Sequence, residues 1–296
     1  MELRVLRYFM AVAREGNITR AANILHVTQP TLSRQLIDLE EELGHKLLIR
    51  GSHDVKLTEE GLFLKERARE ILEMVEKTEA EFNCPEDCIC GEIYIGGGET
   101  YVMKRIATIS NELRKQYPDV RFNLYSGNAD DVTERLDKGL LDFGILIQPV
   151  NVSKYDSLDL PDKDVWGVIM RKDSPLAAKK TIRRKDLLGV PILGSRQVIK
   201  RISSGDGFFD WFGDDFDKLN IVVSFNLLYN AALMVEEGLG YAVSLDRIIN
   251  TGGDSKLCFR PLSPRLESGL NIVWKKDRLF SPAAALFMRK LRENFE

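Results

Sequence analysis

The sequence predicts an α/β protein overall, with a helical N-terminal unit, one long helix and a two-lobed strand–helix unit. Three observations predict it. Helical periodicity dominates residues 1–82, interrupted by one short hairpin pattern. From residue 91 the pattern changes to short apolar strands alternating with helices. The 296 residues are enough for two or three separate cores. At 44% hydrophobic and 29% charged, the composition is that of a globular chain. No stretch approaches a membrane span, and Met-Glu-Leu-Arg-Val-Leu-Arg holds no apolar run of signal-peptide length, so a cytoplasmic location is expected.

Leu3, Leu6, Phe9, Met10 and Ala13 predict a first helix over 3–14, ended by Gly16-Asn17. Ala21, Ala22, Ile24 and Leu25 give the next helix a small-sided inner face. Thr28 is an N-cap for a third helix, with Pro30 in its first turn, where a missing N–H costs nothing. Leu32, Leu36, Leu39 and Leu43 form one stripe expected to pack on the first two helices. The other face carries polar residues. This is the pattern of a helix-turn-helix whose last helix enters the DNA major groove. Arg34 can grip a guanine edge or a phosphate, Gln29 suits adenine, and Pro30 and Thr31 can touch thymine methyls. Arg20, Thr28 and Ser33 complete the expected set on these helices. A plain helix bundle with solvated residues is the alternative.

The net charge of −3 does not suggest nucleic acid, but charge must be read by region. Residues 1–58 hold 8 Lys/Arg against 7 Asp/Glu, and Asp38, Glu40, Glu41 and Glu42 crowd the far end of the third helix. Phosphate repels such a run, so only the N-terminal half of that helix is expected in the groove. Leu47–Ile49 and Val55–Leu57 flank a turn and predict a wing, with Arg50, Lys56 and His53 as phosphate contacts.

Thr58 caps a helix expected to reach Phe82. Gly61, Leu64, Ala68, Ile71, Val75, Thr78 and Phe82 form a heptad seam, read as a dimer contact or as packing on the same domain. Residues 83–87 form a hinge. Cys84, Cys88 and Cys90 fall within seven residues, but the spacing is not a strong zinc pattern and no histidine is near. Solvated thiols, with no metal and no disulfide framework, are expected.

These residues together resemble the LysR-type transcriptional regulators. The resemblance rests on Leu3-x-x-Leu6-x-Tyr8-Phe9, Thr19-Arg20-Ala21-Ala22, Val27-Thr28-Gln29-Pro30-Thr31-Leu32-Ser33, Leu39-Glu40-x-x-Leu43-Gly44, Leu57-Thr58-x-x-Gly61 and Gly91-x-Ile93-x-Ile95-Gly96. It implies a winged helix-turn-helix over 1–58, a dimerisation helix and hinge over 59–90, and a periplasmic-binding-protein-like effector domain over 91–296. Lobe I would take 91–160 and 266–296, and lobe II 161–265. It also implies a small-molecule inducer and a homodimer or homotetramer on promoter DNA; RNA polymerase is a further expected partner. The family's wing often carries several basic residues, whereas here it reads Arg50-Gly-Ser-His-Asp54.

In the second half, strands are expected at 93–95, 121–125, 143–147, 166–170, 190–193, 221–225, 240–245 and 270–274. A ligand cleft between the lobes should draw on strand ends and the turns after them. In similar regulators the effector is held at such places, which favours Thr100, Asn128, Gln148, Ser195 and Asn226, with Gly98, Tyr101 and Arg196 beside them. Exposed N–H groups at the helix start near Thr100 suit an anionic effector. The alternatives are that each is a turn or cap residue, or that the second half serves oligomerisation without a ligand. Enzymatic readings fail: Tyr101 stands where a dinucleotide loop needs Gly or Ala, no P-loop lysine appears, and no histidine follows residue 53. No cofactor is expected.

Overall fold

The computed structural model describes residues 1–51, 54–82, 88–196, 199 and 211–295. It divides into two compact units, Met1–Asn83 and Cys84–Glu296.

In the first unit, α1 (Leu3–Glu15) ends where Gly16 takes a left-handed conformation (φ 60°) and returns its N–H to Val12 O. The side chain of Asn17 accepts from Arg20 N at the start of α2 (Ile18–Ile24). The turn after α2 places His26 in left-handed backbone (φ 54°), and Thr28 then caps α3 (Gln29–Leu43) through Thr31 N. Leu6, Phe9, Val12, Ala21, Ala22, Leu32, Leu36 and Leu39 make the core. Leu43 does not join it: it stays 37% exposed, because the stripe drifts off the core by the last turn. β1 (Leu48–Arg50) and β2 (Val55–Leu57) pair antiparallel as the wing.

Thr58 Oγ1 accepts from Gly61 N (2.9 Å) and donates to Lys46 O (2.7 Å), opening α4 (Glu59–Phe82). Only glycine fits at 61, since a Cβ there would lie 2.1 Å from Leu47 O. Gly61, Leu64 and Ala68 are buried, and α4 packs on α1. The first half of the predicted seam is therefore occupied within the same chain. Leu62, Phe63 and Phe82 remain exposed.

The second unit is built on two sheets joined by one strand. In lobe I, β3 (Gly91–Gly97) lies parallel between β4 (Val120–Ser126) and β5 (Phe143–Ile147). β12 (Glu267–Lys275) runs antiparallel to β5 and to β6 (Tyr155–Arg171). The sheet is thus mixed: β12 runs against β3, β4, β5 and the first half of β6. α5 (Met103–Gln116) and α8 (Pro282–Phe295) bury Ile106, Ile109, Phe287 and Leu291 against Ile93, Ile95 and Phe143 on one face. α6 (Ala129–Asp137) covers the other with Val132 and Leu136. Asn128 and Asp131 close a capping box on α6.

Lobe II takes the second half of β6, which pairs with β10 (Tyr241–Leu245) and β11 (Leu257–Ser263). β10 is parallel to β8 (Pro191–Ser195), and β8 to β9 (Asn220–Phe225). The short β7 (Ile182–Arg183) adds to β11, and α7 (Leu228–Glu236) packs on Ile169, Leu193 and Ala242. The expected strands appear, but 166–170 proves to be the end of a 17-residue strand. Residues 155–165 of β6 pair with β12, and residues from 166 onward pair with lobe II.

Candidate functional site

In the first unit, Thr28, Gln29, Pro30, Thr31 and Arg34 are all exposed at the start of α3. Thr28 and Thr31 share a hydroxyl contact at 2.8 Å, which orders the first turn. Ser33 is half-buried and its Oγ accepts from Arg50 Nη1 at 3.0 Å, holding the wing arginine against α3. Arg20 is exposed and donates to Glu15 O (2.7 Å). Lys56 is exposed and stands 4.0 Å from Asp54, a weak pair between two solvated groups. His53 lies outside the described residues.

The acidic run behind this face is not one solvated block. Glu40 is buried, and its carboxylate accepts from Leu47 N (2.9 Å), Leu48 N (3.1 Å) and Lys46 Nζ (2.9 Å). Burial raises its pKa, but the bonds from Lys46 and from the two backbone amides outweigh that and leave it lowered. Glu40 therefore corrects the reading of a phosphate-repelling residue: it ties the end of α3 to the wing. Asp38, Glu41 and Glu42 stay exposed.

In the second unit, a cavity of about 590 Å³ opens between the two lobes. Gly98, Asn128 and Gln148 line it from lobe I, and Ser195 and Asn226 from lobe II. Ser157, Asp159, Trp166, Ser244, Glu267, Ser268 and Asn271 also face it, on strands that the sequence reading did not use. Their signal was alternation: on β6, positions 156, 157 and 159 are exposed while Leu158 and Leu160 are buried. Ile147, Val150, Leu228, Ile248 and Leu266 give the cavity apolar walls. Glu99 reaches from lobe I to accept from Leu228 N at the start of α7, so its carboxylate caps that helix across the cleft.

Thr100, Tyr101 and Arg196 do not line this cavity. Thr100 Oγ1 donates to Asp164 Oδ2 (2.5 Å) and accepts from Val102 N (3.1 Å). Burial of Asp164 raises its pKa, against the opposing effects of the Thr100 bond and the Arg247 charge. The Arg247 guanidinium sits 4.2 Å above the Tyr101 ring. Thr100 and Tyr101 line a smaller neighbouring pocket of about 380 Å³. Arg196 is exposed beside the end of β8.

Cys90 is disulfide-bonded, which corrects the expectation of solvated thiols. Cys88 is exposed and Cys258 is buried. Among the described residues no group of three or more His, Cys, Asp or Glu side chains is placed to hold a metal ion. Among the described residues no helix is long and apolar enough to cross a membrane.

A helix-turn-helix unit followed by a two-lobed cleft domain defines a class of ligand-responsive DNA-binding regulators. Comparison with known proteins gives the same class. Residues 3–62 match the model for the bacterial regulatory helix-turn-helix protein, lysR family, and residues 89–296 that for the LysR substrate binding domain. The Hca operon transcriptional activator HcaR of Escherichia coli (strain K12) is 33% identical, over 99% of this chain and 98% of its own. A hydrogen peroxide-inducible genes activator of Pectobacterium carotovorum is 30% identical, over 88% of this chain and 87% of its own. The crystal structure of CbnR, a LysR family transcriptional regulator, superposes with a TM-score of 0.78 at 20% identity, covering 100% of both chains. CbnR in complex with its target DNA gives 0.75 at 22%, covering 99% of each. The chain belongs to the LysR family of transcriptional regulators. It is a DNA-binding regulator with a substrate-binding-type effector domain.

Proposed function

We propose that a small-molecule effector enters the cleft between the lobes, and that its binding resets how paired recognition helices meet promoter DNA. The observation that carries this is the cavity itself. It lies where one strand, β6, passes between two sheets, so a ligand touching both lobes favours one interlobe angle over another. Gly98, Asn128, Gln148, Ser195 and Asn226 are the proposed contacts. Base reading falls to Gln29, Pro30, Thr31 and Arg34, with Arg50 and Lys56 on phosphates. The free polar face at the start of α3 supports this, as does the DNA complex of the related CbnR. The protein acts as a homodimer or homotetramer in the cytoplasm, without enzymatic activity, and promoter occupancy is what it offers RNA polymerase. The exposed Leu62, Phe63 and Phe82 of α4 support self-association.

Footprinting on DNA flanking the gene, with and without a metabolite panel, tests the reading. Protection upstream of the gene whose extent changes with one metabolite is the expected result. Absence of any protected site would overturn it.

A further inference from the structure

The polarity of the cleft floor points to the chemical class of ligand. A carboxylate can only accept hydrogen bonds, so Asp159 Oδ1 fixes the neighbouring Asn271 with its Nδ2 toward the acid. The Asn271 Oδ1 then faces Gln148, whose Nε2 donates to it at 2.8 Å. The second oxygen of Asp159 and the Oε1 of Gln148 remain as acceptors for a ligand, beside the second N–H of each amide. Asn271 is 4% exposed, so the relay cannot reverse without stranding a buried amide.

Charge agrees with this polarity. Among the described residues, the cavity lining holds Glu99, Asp159 and Glu267 and no Lys, Arg or His. Arg265 offsets Glu267 at 2.6 Å, but no described cation pairs with Asp159. The start of α7, where an anion would otherwise be welcome, already receives the Glu99 carboxylate. The walls are apolar, from Ile147, Val150, Leu228, Ile248 and Leu266.

Building on the proposed effector site, we infer that the cleft takes an organic cation: an ammonium or amidinium group on an apolar body, its N–H donors on Asp159 and Gln148. This replaces the expectation of an anionic effector.

The test is calorimetric titration of the full-length protein with paired probes. Hexyl, phenethyl and indolylethyl bodies each carry either an ammonium or a carboxylate. At least one ammonium probe should bind about 10-fold or more tighter than its carboxylate partner. Asp159→Asn, an exposed position, should remove most of that preference, while Ser157→Trp, which fills the cleft, should abolish binding. Equal or tighter binding of the carboxylates, or no binding by any ammonium, overturns the ligand class. If the carboxylates bind and Ser157→Trp abolishes their binding, the cleft stands as the effector site and only the class falls. Binding that survives Ser157→Trp instead removes the cleft as the site.

Discussion

Glu40 shows how much one side chain decides. From the sequence it is one acid in a run of three; in the fold it is buried against two backbone amides and Lys46. Its pKa is lowered, so its contribution to stability is complete above the ordinary value of 4.5 and is lost as pH falls through the lowered one. Glu40→Gln should cost about 2 kcal/mol at neutral pH. Urea melts at several pH values check it: the gap between variant and wild type should close below pH 4.5. Arg34 lies at the opposite extreme, exposed and with no partner in the described structure. Arg34→Ala should weaken binding at the specific site by about 1–3 kcal/mol. An equal loss on random DNA, measured in parallel, would make it a phosphate contact only.

Among the elements, α4 departs most from its sequence reading. Its seam was expected to serve either a dimer or its own domain, and the first half serves α1. Self-association can then use what α4 leaves open, and Phe63, 63% exposed near its start, is one of two exposed phenylalanines there, with Phe82 at its end. Phe63→Glu should raise the dimer dissociation constant roughly 30-fold, from the loss of about 2 kcal/mol at an aromatic anchor. Sedimentation equilibrium gives the value, and a stable monomer fold by circular dichroism separates it from unfolding. Helix ends were the most legible elements: Thr28 with Pro30 is local chemistry that needs no distant partner, whereas the box of Asn128 with Asp131 emerged from the structure.

Across the whole molecule, side chains join the lobes beyond the strands: the Glu99 carboxylate on the start of α7, and the Arg247 guanidinium over Tyr101. Glu99→Ala removes a helix cap, a loss of about 1 kcal/mol. Hydrogen exchange of the Leu228 amide should accelerate in that variant while the β3 amides keep their protection. Unchanged exchange at Leu228 would show that the Glu99 link does not hold the lobes together in solution.

The sequence by itself determined the class of protein. Caps, helical stripes and strand alternation are set by neighbours a few residues apart, and the helix-turn-helix and strand-helix order follow from them. It also marked Asn128, Gln148, Ser195 and Asn226, since turns after strands are local features. Only the tertiary structure decided that Thr100 and Tyr101 turn away to Asp164 and Arg247, and that Glu40 is buried. It alone placed Asp159 and Asn271 on the cleft floor. The reason is the same in each case: the deciding partner lies far along the chain, 64 residues for Thr100 with Asp164 and 112 for Asn271 with Asp159. A local pattern carries no information about such pairs until β6 and β12 cross between the lobes.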